Sequence, residues 1–263
     1  MTVLEILVIF TAALLAGALN AVAGGGSFLT FPALVFVGIP DVEANVTNSL
    51  VLWPGSIAST GAYRNELLAR RRTVLMLSIA SLLGGIIGAL LLLDMRDQQE
   101  TFRNIVPYLL LITTLLFAFG KYITRWLQKH INMTEESRLA LVSVVVLQCI
   151  ISVYGGFFGG GMGVMMLAAY SLLGMSNIHI MNGIKSLVSV LIKGIAVLTF
   201  IYYDLFIYDV GVIAWPQAIV MIVGATIGGY WGAAYARKLD PELVRRFAVA
   251  VGIIITILFF LRA

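Results

Sequence analysis

Residues 178–203 read IHIMNGIKSLVSVLIKGIAVLTFIYY. As a helix this run extends roughly 39 Å at 1.5 Å per residue, against a bilayer hydrocarbon core of roughly 30 Å. Period-2 alternation is absent, so the run reads as helix and not strand. It holds no acidic residue before Asp204, yet it holds Lys185 and Lys193. Asn182, Lys185, Ser186, Ser189 and Lys193 recur at steps of three and four, which places them on one face of that helix.

The rest of the chain repeats the pattern. Further apolar runs near 20 residues lie at about 3–23, 43–63, 73–93, 105–127, 138–158, 210–235 and 244–262, making eight with the first. Two shorter apolar pieces, 27–38 and 162–174, each follow a glycine run and end in a turn, Gly38-Ile39-Pro40-Asp41 and Gly174-Met175-Ser176-Asn177. They are too short to span as helices. Of the 263 residues, 60% are hydrophobic and 11% charged, less than half the charge of an ordinary soluble domain. The fold class expected is an all-α polytopic membrane protein lying in a lipid bilayer. The isoelectric point near 9.3 does not imply nucleic acid, because the basic residues sit in short clusters between apolar runs. Cys149 is the single cysteine, so no intrachain disulfide forms. The segment Met1–Glu5 has no positive leader, and the first run is expected to stay as a membrane helix.

The chain also repeats itself. Gly24-Gly25-Gly26 matches Gly159-Gly160-Gly161, 135 residues on, and Asn45-Val46-Thr47-Asn48-Ser49 matches Asn182-Gly183-Ile184-Lys185-Ser186, 137 on. Gly84-Gly85 matches Gly228-Gly229, 144 on, and Asp97 with Arg103 matches Asp240 with Arg246, 143 on. Matches in one order with slowly growing offsets indicate duplication. One repeat covers 1–127, a cytoplasmic linker 128–137, and the second repeat 138–263, together one membrane domain. Loop charge orients them. Arg64, Arg70, Arg71 and Arg72, then Lys121, Arg125, Lys129 and Arg138, then Arg237, Lys238, Arg245 and Arg246 mark cytoplasmic loops. The loops with Asp94, Asp97 and Glu100 and with Asp204 and Asp209 then face out. The basic 64–72 loop corresponds to the acidic 204–209 loop of the second half, and 94–104 to 237–246. The repeats are therefore expected to be inverted, with both termini periplasmic, an arrangement of secondary transporters.

Chemistry enters with the lysines. A lysine at the bilayer centre costs roughly 2.5–3.5 kcal/mol on insertion scales. Lys193 lies roughly 15 Å from either end of its run, too deep to snorkel easily, whereas Lys185 is shallow enough to do so. Lys193 bonded permanently to backbone carbonyls is the plainer alternative to an anion path. Asn45, Asn48, Ser49, Ser56, Ser59 and Thr60 give the first half a similar polar stripe, interrupted by Leu52. Interhelical hydrogen bonding explains any one of these hydroxyls and amides about equally well. The glycine runs Gly24–Gly26 and Gly159–Gly161 read as helix breaks, whose N-termini would offer N–H donors to an anion. The glycines at 84, 88, 224, 228 and 232 read as packing faces. Asp41 and Glu43 are explained by a helix N-terminus, and His179 as a locally satisfied group. Tyr202, Tyr203, Phe206, Tyr208 and Trp215 read as an interfacial belt, and Pro54 as a kink. The sequence holds no Ser/His/Asp set, no intramembrane carboxylate pair and no metal-ligand cluster. Neither an enzyme nor a cofactor or metal is expected.

At Asn20-Ala21-Val22-Ala23-Gly24-Gly25-Gly26-Ser27-Phe28-Leu29-Thr30-Phe31-Pro32, at Ala44–Ser49 with Pro54-Gly55-Ser56, and at Phe158–Gly163 with Asn182–Leu187, the chain resembles the TauE/SafE-type sulfite exporter family over nearly its whole length. Where family members often repeat the proline of Pro32 in the second half, this chain has Leu167. The resemblance implies export of sulfite or a related sulfur oxyanion or organosulfonate from a bacterial cell, across its inner membrane. The expected function is a secondary transporter of a small anion working by alternating access. Its expected site draws on Asn20, the two glycine runs, Asn45, Thr47, Asn48, Ser49, Asn182, Lys185, Ser186, Ser189 and Lys193. An anion channel, or a uniporter for another small carboxylate or inorganic anion, stays open, as does a homodimer.

Overall fold

The chain starts on a reciprocal cap. The Glu5 N–H donates to the Thr2 hydroxyl at 3.2 Å while the Thr2 N–H donates to the Glu5 carboxylate at 2.9 Å, two orphan donors of a first turn satisfied at once. Helix α1 (Val3–Val22) follows. The structure, a computed structural model, describes residues 1–22, 25–60, 71–130, 138–172, 175, 177–209, 211–236 and 241–262. Beyond α1 these form α2 (Ser27–Phe36), α3 (Asp41–Thr60), α4 (Arg71–Asp94), a 3-10 turn (Met95–Gln98), α5 (Gln99–His130), α6 (Arg138–Phe157), α7 (Met162–Leu172), α8 (Ile178–Phe206), α9 (Trp215–Ala236) and α10 (Pro241–Arg262). No strand occurs among the described residues. The helical stretches Val3–Asn20, Thr73–Trp126 and Ile180–Phe206 are long and apolar enough to cross a membrane. The basic residues Arg64, Arg70, Arg237 and Lys238 and residues 131–137 of the expected linker 128–137 lie outside the described residues, and 128–130 continue α5.

Two boundaries differ from the apolar runs by five residues or more, and in each a polar side chain is the reason. Helix α5 starts at Gln99, six residues before its apolar run, because Gln99 is built into the end of the bundle. Its Oε1 accepts the Val42 N–H at 3.2 Å, and its Nε2 donates to Glu43 at 2.8 Å. Helix α9 starts at Trp215 and not near 210, because Asp204 claims the segment before it. The Asp204 carboxylate accepts the N–H groups of Val212 and Ile213 (the latter at 2.7 Å) and the Trp215 indole N–H at 2.8 Å. Trp215, read as an interfacial residue, thus also holds a loop.

Glycine sets the closest helix pairs. A Cβ at Gly228 would lie 1.8 Å from the Leu14 carbonyl oxygen, and one at Gly224 2.8 Å from that of Phe10, so α9 and α1 touch backbone to backbone. A step of four along α9 matches a step of four along α1 in the same direction, so the two run parallel. Helices α4 and α6 do the same, with Gly84 on the Cys149 oxygen at 2.6 Å and Gly88 on that of Val153 at 2.0 Å. Small residues let helices approach this closely where lipid supplies no hydrophobic drive between them. Helices α5 and α10 instead run antiparallel. Tyr108 meets Phe260 edge to face with ring centroids 5.2 Å apart, the Thr114 and Thr256 hydroxyls lie 3.5 Å apart, and Arg245 donates to the Ala118 carbonyl at 3.1 Å.

The pairings of the first five helices mirror those of the last five. Helix α1 packs on α9 as α6 packs on α4, α3 packs on α9 as α8 packs on α4, and α2 meets α10 as α7 meets α5. Helices α3 and α8 pack on each other, as do α5 and α10. One end of the bundle is closed by ions. Asp41, 1% exposed, meets Arg103 Nε and Arg262 Nη1, both at 3.1 Å, and Glu43 lies 3.7 Å from Arg96.

The glycine seams give a direct expectation. Gly228→Val should cost about 3 kcal/mol or more through overpacking and lower the thermal midpoint of the purified protein. Gly55→Ala, where a Cβ meets nothing within 4 Å, should leave that midpoint unchanged or raise it. Equal midpoints for the two variants in a detergent melting experiment would contradict the packing described.

Candidate functional site

Each glycine run breaks a helix. After α1, the Gly25 oxygen accepts the Phe28 N–H at 3.1 Å and the Gly26 oxygen accepts the Leu29 N–H at 3.0 Å, so α2 starts on the glycines themselves. After α6, the Tyr154 oxygen takes the N–H groups of both Phe158 (2.8 Å) and Gly159 (3.1 Å), which ends the helix. Gly159 and Gly161 then adopt φ of +78° and +72°, a left-handed backbone that costs an ordinary residue about 1–2 kcal/mol. The Gly161 oxygen accepts the Val164 N–H at 3.0 Å and opens α7.

Side chains from α3 and α5 hold the breaks. Asn48 of α3 donates to Ser27 Oγ at 3.4 Å, and its Oδ1 accepts from the Thr30 hydroxyl, so α3 grips the start of α2. Asn45, one turn earlier, donates to the Phe157 carbonyl at 2.7 Å and so grips the end of α6. Its Oδ1 is buried with no donor among the described residues. Thr113 of α5 lies 3.2 Å from the Gly160 oxygen, 2.8 Å from the Leu109 oxygen and 3.0 Å from the Tyr154 hydroxyl.

The breaks meet. Gly25, Ser27 and Phe28 of the first and Phe158, Gly160 and Gly161 of the second line one cavity, closed on the α5 side by Leu110, Thr113 and Phe117. Its volume is about 10 Å³, close to the least that holds one water. Phe28 and Phe117 meet edge to face across it at 5.6 Å.

The lysines lie on α8, which packs on α7. The Lys185 stem runs over the first turn of α7: a Cβ at Gly163 would stand 3.3 Å from Lys185 Cδ. Lys193 is half-buried, two turns further along. Beside it Trp53 packs on Gly194 and donates its indole N–H to the Val190 carbonyl at 3.2 Å. Among the described residues no hydrogen bond or ion pair reaches the Lys185 or Lys193 ammonium.

The residues expected from the sequence divide into two groups. Asn45, Thr47, Asn48 and Ser49 are engaged within the protein, Thr47 accepting the Ala214 N–H at 3.0 Å and Ser49 donating to the Asn45 carbonyl at 3.1 Å. Asn182, Lys185, Ser186 and Lys193 are half-buried and have no such partner among the described residues. Ser189 touches Met166 Sδ at 3.8 Å, and Asn20 packs where a Cβ at Gly26 would fall, 3.2 Å away. Gly25, Gly26 and Gly159–Gly161 are the breaks themselves, and Gly24 lies outside the described residues.

Thr113, Tyr154, Phe28, Phe117 and Phe158 went unremarked as site residues in the sequence, although Tyr154 stands directly before the second break. Gln148 was also missed. It links Ser81 (3.0 Å), Ser152 (3.1 Å) and Tyr170 (3.1 Å) in a buried network joining α4, α6 and α7. An isolated amide inside the apolar run 138–158 is the signal for it.

Comparison with known proteins identifies the family. The model of the sulfite exporter TauE/SafE family matches residues 9–259. A probable membrane transporter protein of Haemophilus influenzae is 26% identical over 260 residues, covering 95% of this chain and 92% of its own. The probable membrane transporter protein YfcA of Escherichia coli is 28% identical over 258 residues, covering 95% of this chain and 87% of its own. A probable membrane transporter protein of a Sinorhizobium species is 27% identical over 251 residues, with coverage of 95% and 90%. No solved structure matches the chain. The chain belongs to the TauE/SafE family and is a membrane transporter.

Proposed function

We propose that this transporter carries a small sulfur oxyanion such as sulfite, moving it by alternating access along a path between the two glycine breaks. The observation that carries the reading is the pair of lysines on α8 with no anionic partner among the described residues. Lys193, the deeper of the two, costs roughly 2.5–3.5 kcal/mol near the bilayer centre, and a visiting anion offsets that cost. The anion in turn needs charge and directed donors to leave water. Lys185 and Lys193 supply charge, and Asn182 and Ser186 on the same face supply donors. The N-termini of α2 and α7 present backbone N–H groups to the same space. Asn45, Asn48 and Thr113 act by positioning the breaks.

The eight long helices cross the membrane in this reading, and the two halves, 1–127 and 138–263, are inverted copies. Two features support inversion. The helix pairings survive exchange of the halves. The equivalent helices α5 and α10 cross antiparallel, as a two-fold axis in the membrane plane requires. The basic loops then face the cytoplasm of a bacterial inner membrane, and both termini face out. The cavity between the breaks, about 10 Å³, is too small for an oxyanion, so admitting one there requires the breaks and α5 to part. That need favours a carrier over an open channel; single-channel currents from purified protein would reverse the preference.

Lys193→Met should cut sulfite flux in proteoliposomes by about tenfold or more, the worth of a charge-assisted hydrogen bond. It should leave thermal stability equal or higher, because a buried charge has been removed. Undiminished flux would remove Lys193 from the path, and a large stability loss would mark a structural lysine. Gly161→Ala forces a Cβ onto a φ of +72°, 3.3 Å from Leu116 and Thr113. It should lower the thermal midpoint by the equivalent of about 1–2 kcal/mol and reduce flux. Wild-type values for both would mean that the second break tolerates an ordinary residue.

A further inference from the structure

At the charged end of the bundle one buried carboxylate is held by two bases. Asp41 is 1% exposed, and each of its oxygens takes one guanidinium at 3.1 Å, Oδ2 from Arg103 of α5 and Oδ1 from Arg262 at the end of α10. The two arginine side chains are 44% and 35% exposed, so solutes arriving at this end can reach the bases but not the acid. Two guanidiniums on one carboxylate leave a surplus of one positive charge. Glu43 is matched separately, by Arg96 and the Gln99 amide. Asp41 is also the first residue of α3, where the helix dipole favours negative charge.

We propose that Arg103, Arg262 and the first turn of α3 form an oxyanion-binding site, which the Asp41 carboxylate occupies in this conformation and yields to a transported oxyanion in passage. The proposal rests on the reading that the cargo is an oxyanion. A guanidinium recognises two oxygens in a fork, and sulfite presents them much as a carboxylate does. Asp41 is thus an internal stand-in for the cargo. Its release also frees α3 from α5 and α10, because both of its ion pairs cross between helices. Arrival of the anion and opening of this end become one event. The exposed Asp94 at the end of α4, Asp97 in the turn and Glu100 at the start of α5 repel an anion held there, which favours passage over retention.

The test is substitution with rescue. Asp41→Ala removes the stand-in and leaves a carboxylate-sized space between the two arginines. In detergent, without other polyvalent anions, this variant should melt below the wild type. Added sodium sulfite should raise its midpoint by about 3 °C or more, beyond any rise in the wild type. Adding Arg103→Gln and Arg262→Gln should abolish the extra rise. A midpoint for Asp41→Ala that does not respond to sulfite, or a rise that survives loss of both arginines, overturns the proposal. The same titration on Asp41→Ala with Lys193→Met separates this site from the central one. The rise should persist there even if wild-type flux proves independent of Lys193, and its disappearance would mean that sulfite binds at the centre alone.

Discussion

A helix broken inside a membrane exposes backbone donors and acceptors that lipid cannot satisfy, and it survives only when protein or a lined cavity encloses the break. This chain breaks two of its helices and encloses each break largely with the other. Gly25 and Gly160 line the same small cavity, and neighbouring side chains meet the exposed backbone. Asn45 takes the Phe157 carbonyl, and Thr113 sits at the Gly160 carbonyl. The glycine seams between α1 and α9 and between α4 and α6 bring the halves close enough for this to happen. A single half, with its break facing lipid, would lack the partner that closes it.

The same economy separates polar groups that build the site from those free to serve it. Asn48 and Asn45 spend their hydrogen bonds on the breaks. Gln148 spends its bonds on Ser81, Ser152 and Tyr170, a network that gains rigidity from being fully satisfied. The α8 lysines spend none among the described residues. At the ionic end the balance reverses, since Asp41 is held by two bases. The proposed path for an anion needs both conditions: uncommitted positive charge on α8, and committed charge that can be exchanged at the ionic end.

Much of this was legible in the sequence, because apolar run length and glycine runs act locally. The runs 3–23 and 138–158 lie within a residue of α1 and α6, and the glycine triplets mark the breaks. What stayed hidden depends on distant partners. An asparagine in a polar stripe looks the same whether it faces a cavity or a neighbour's carbonyl, so Asn45 and Asn48 could not be told from Asn182. Asp41 read as a helix-start residue, and it is one, but its arginines lie 62 and 221 positions away. Thr113 was hidden in an apolar run because a hydroxyl bonded back to its own helix leaves no trace in the pattern.

The central claim is that an oxyanion visits the space between the breaks and the α8 lysines. The most direct measurement is the anomalous scattering of selenite, a heavier analogue of sulfite, in crystals of the purified protein. The account predicts a selenium peak within hydrogen-bonding reach of Lys185 or Lys193 and the first turn of α7. Full occupancy elsewhere, with both ammoniums bonded to protein and no selenium beside them, would contradict it.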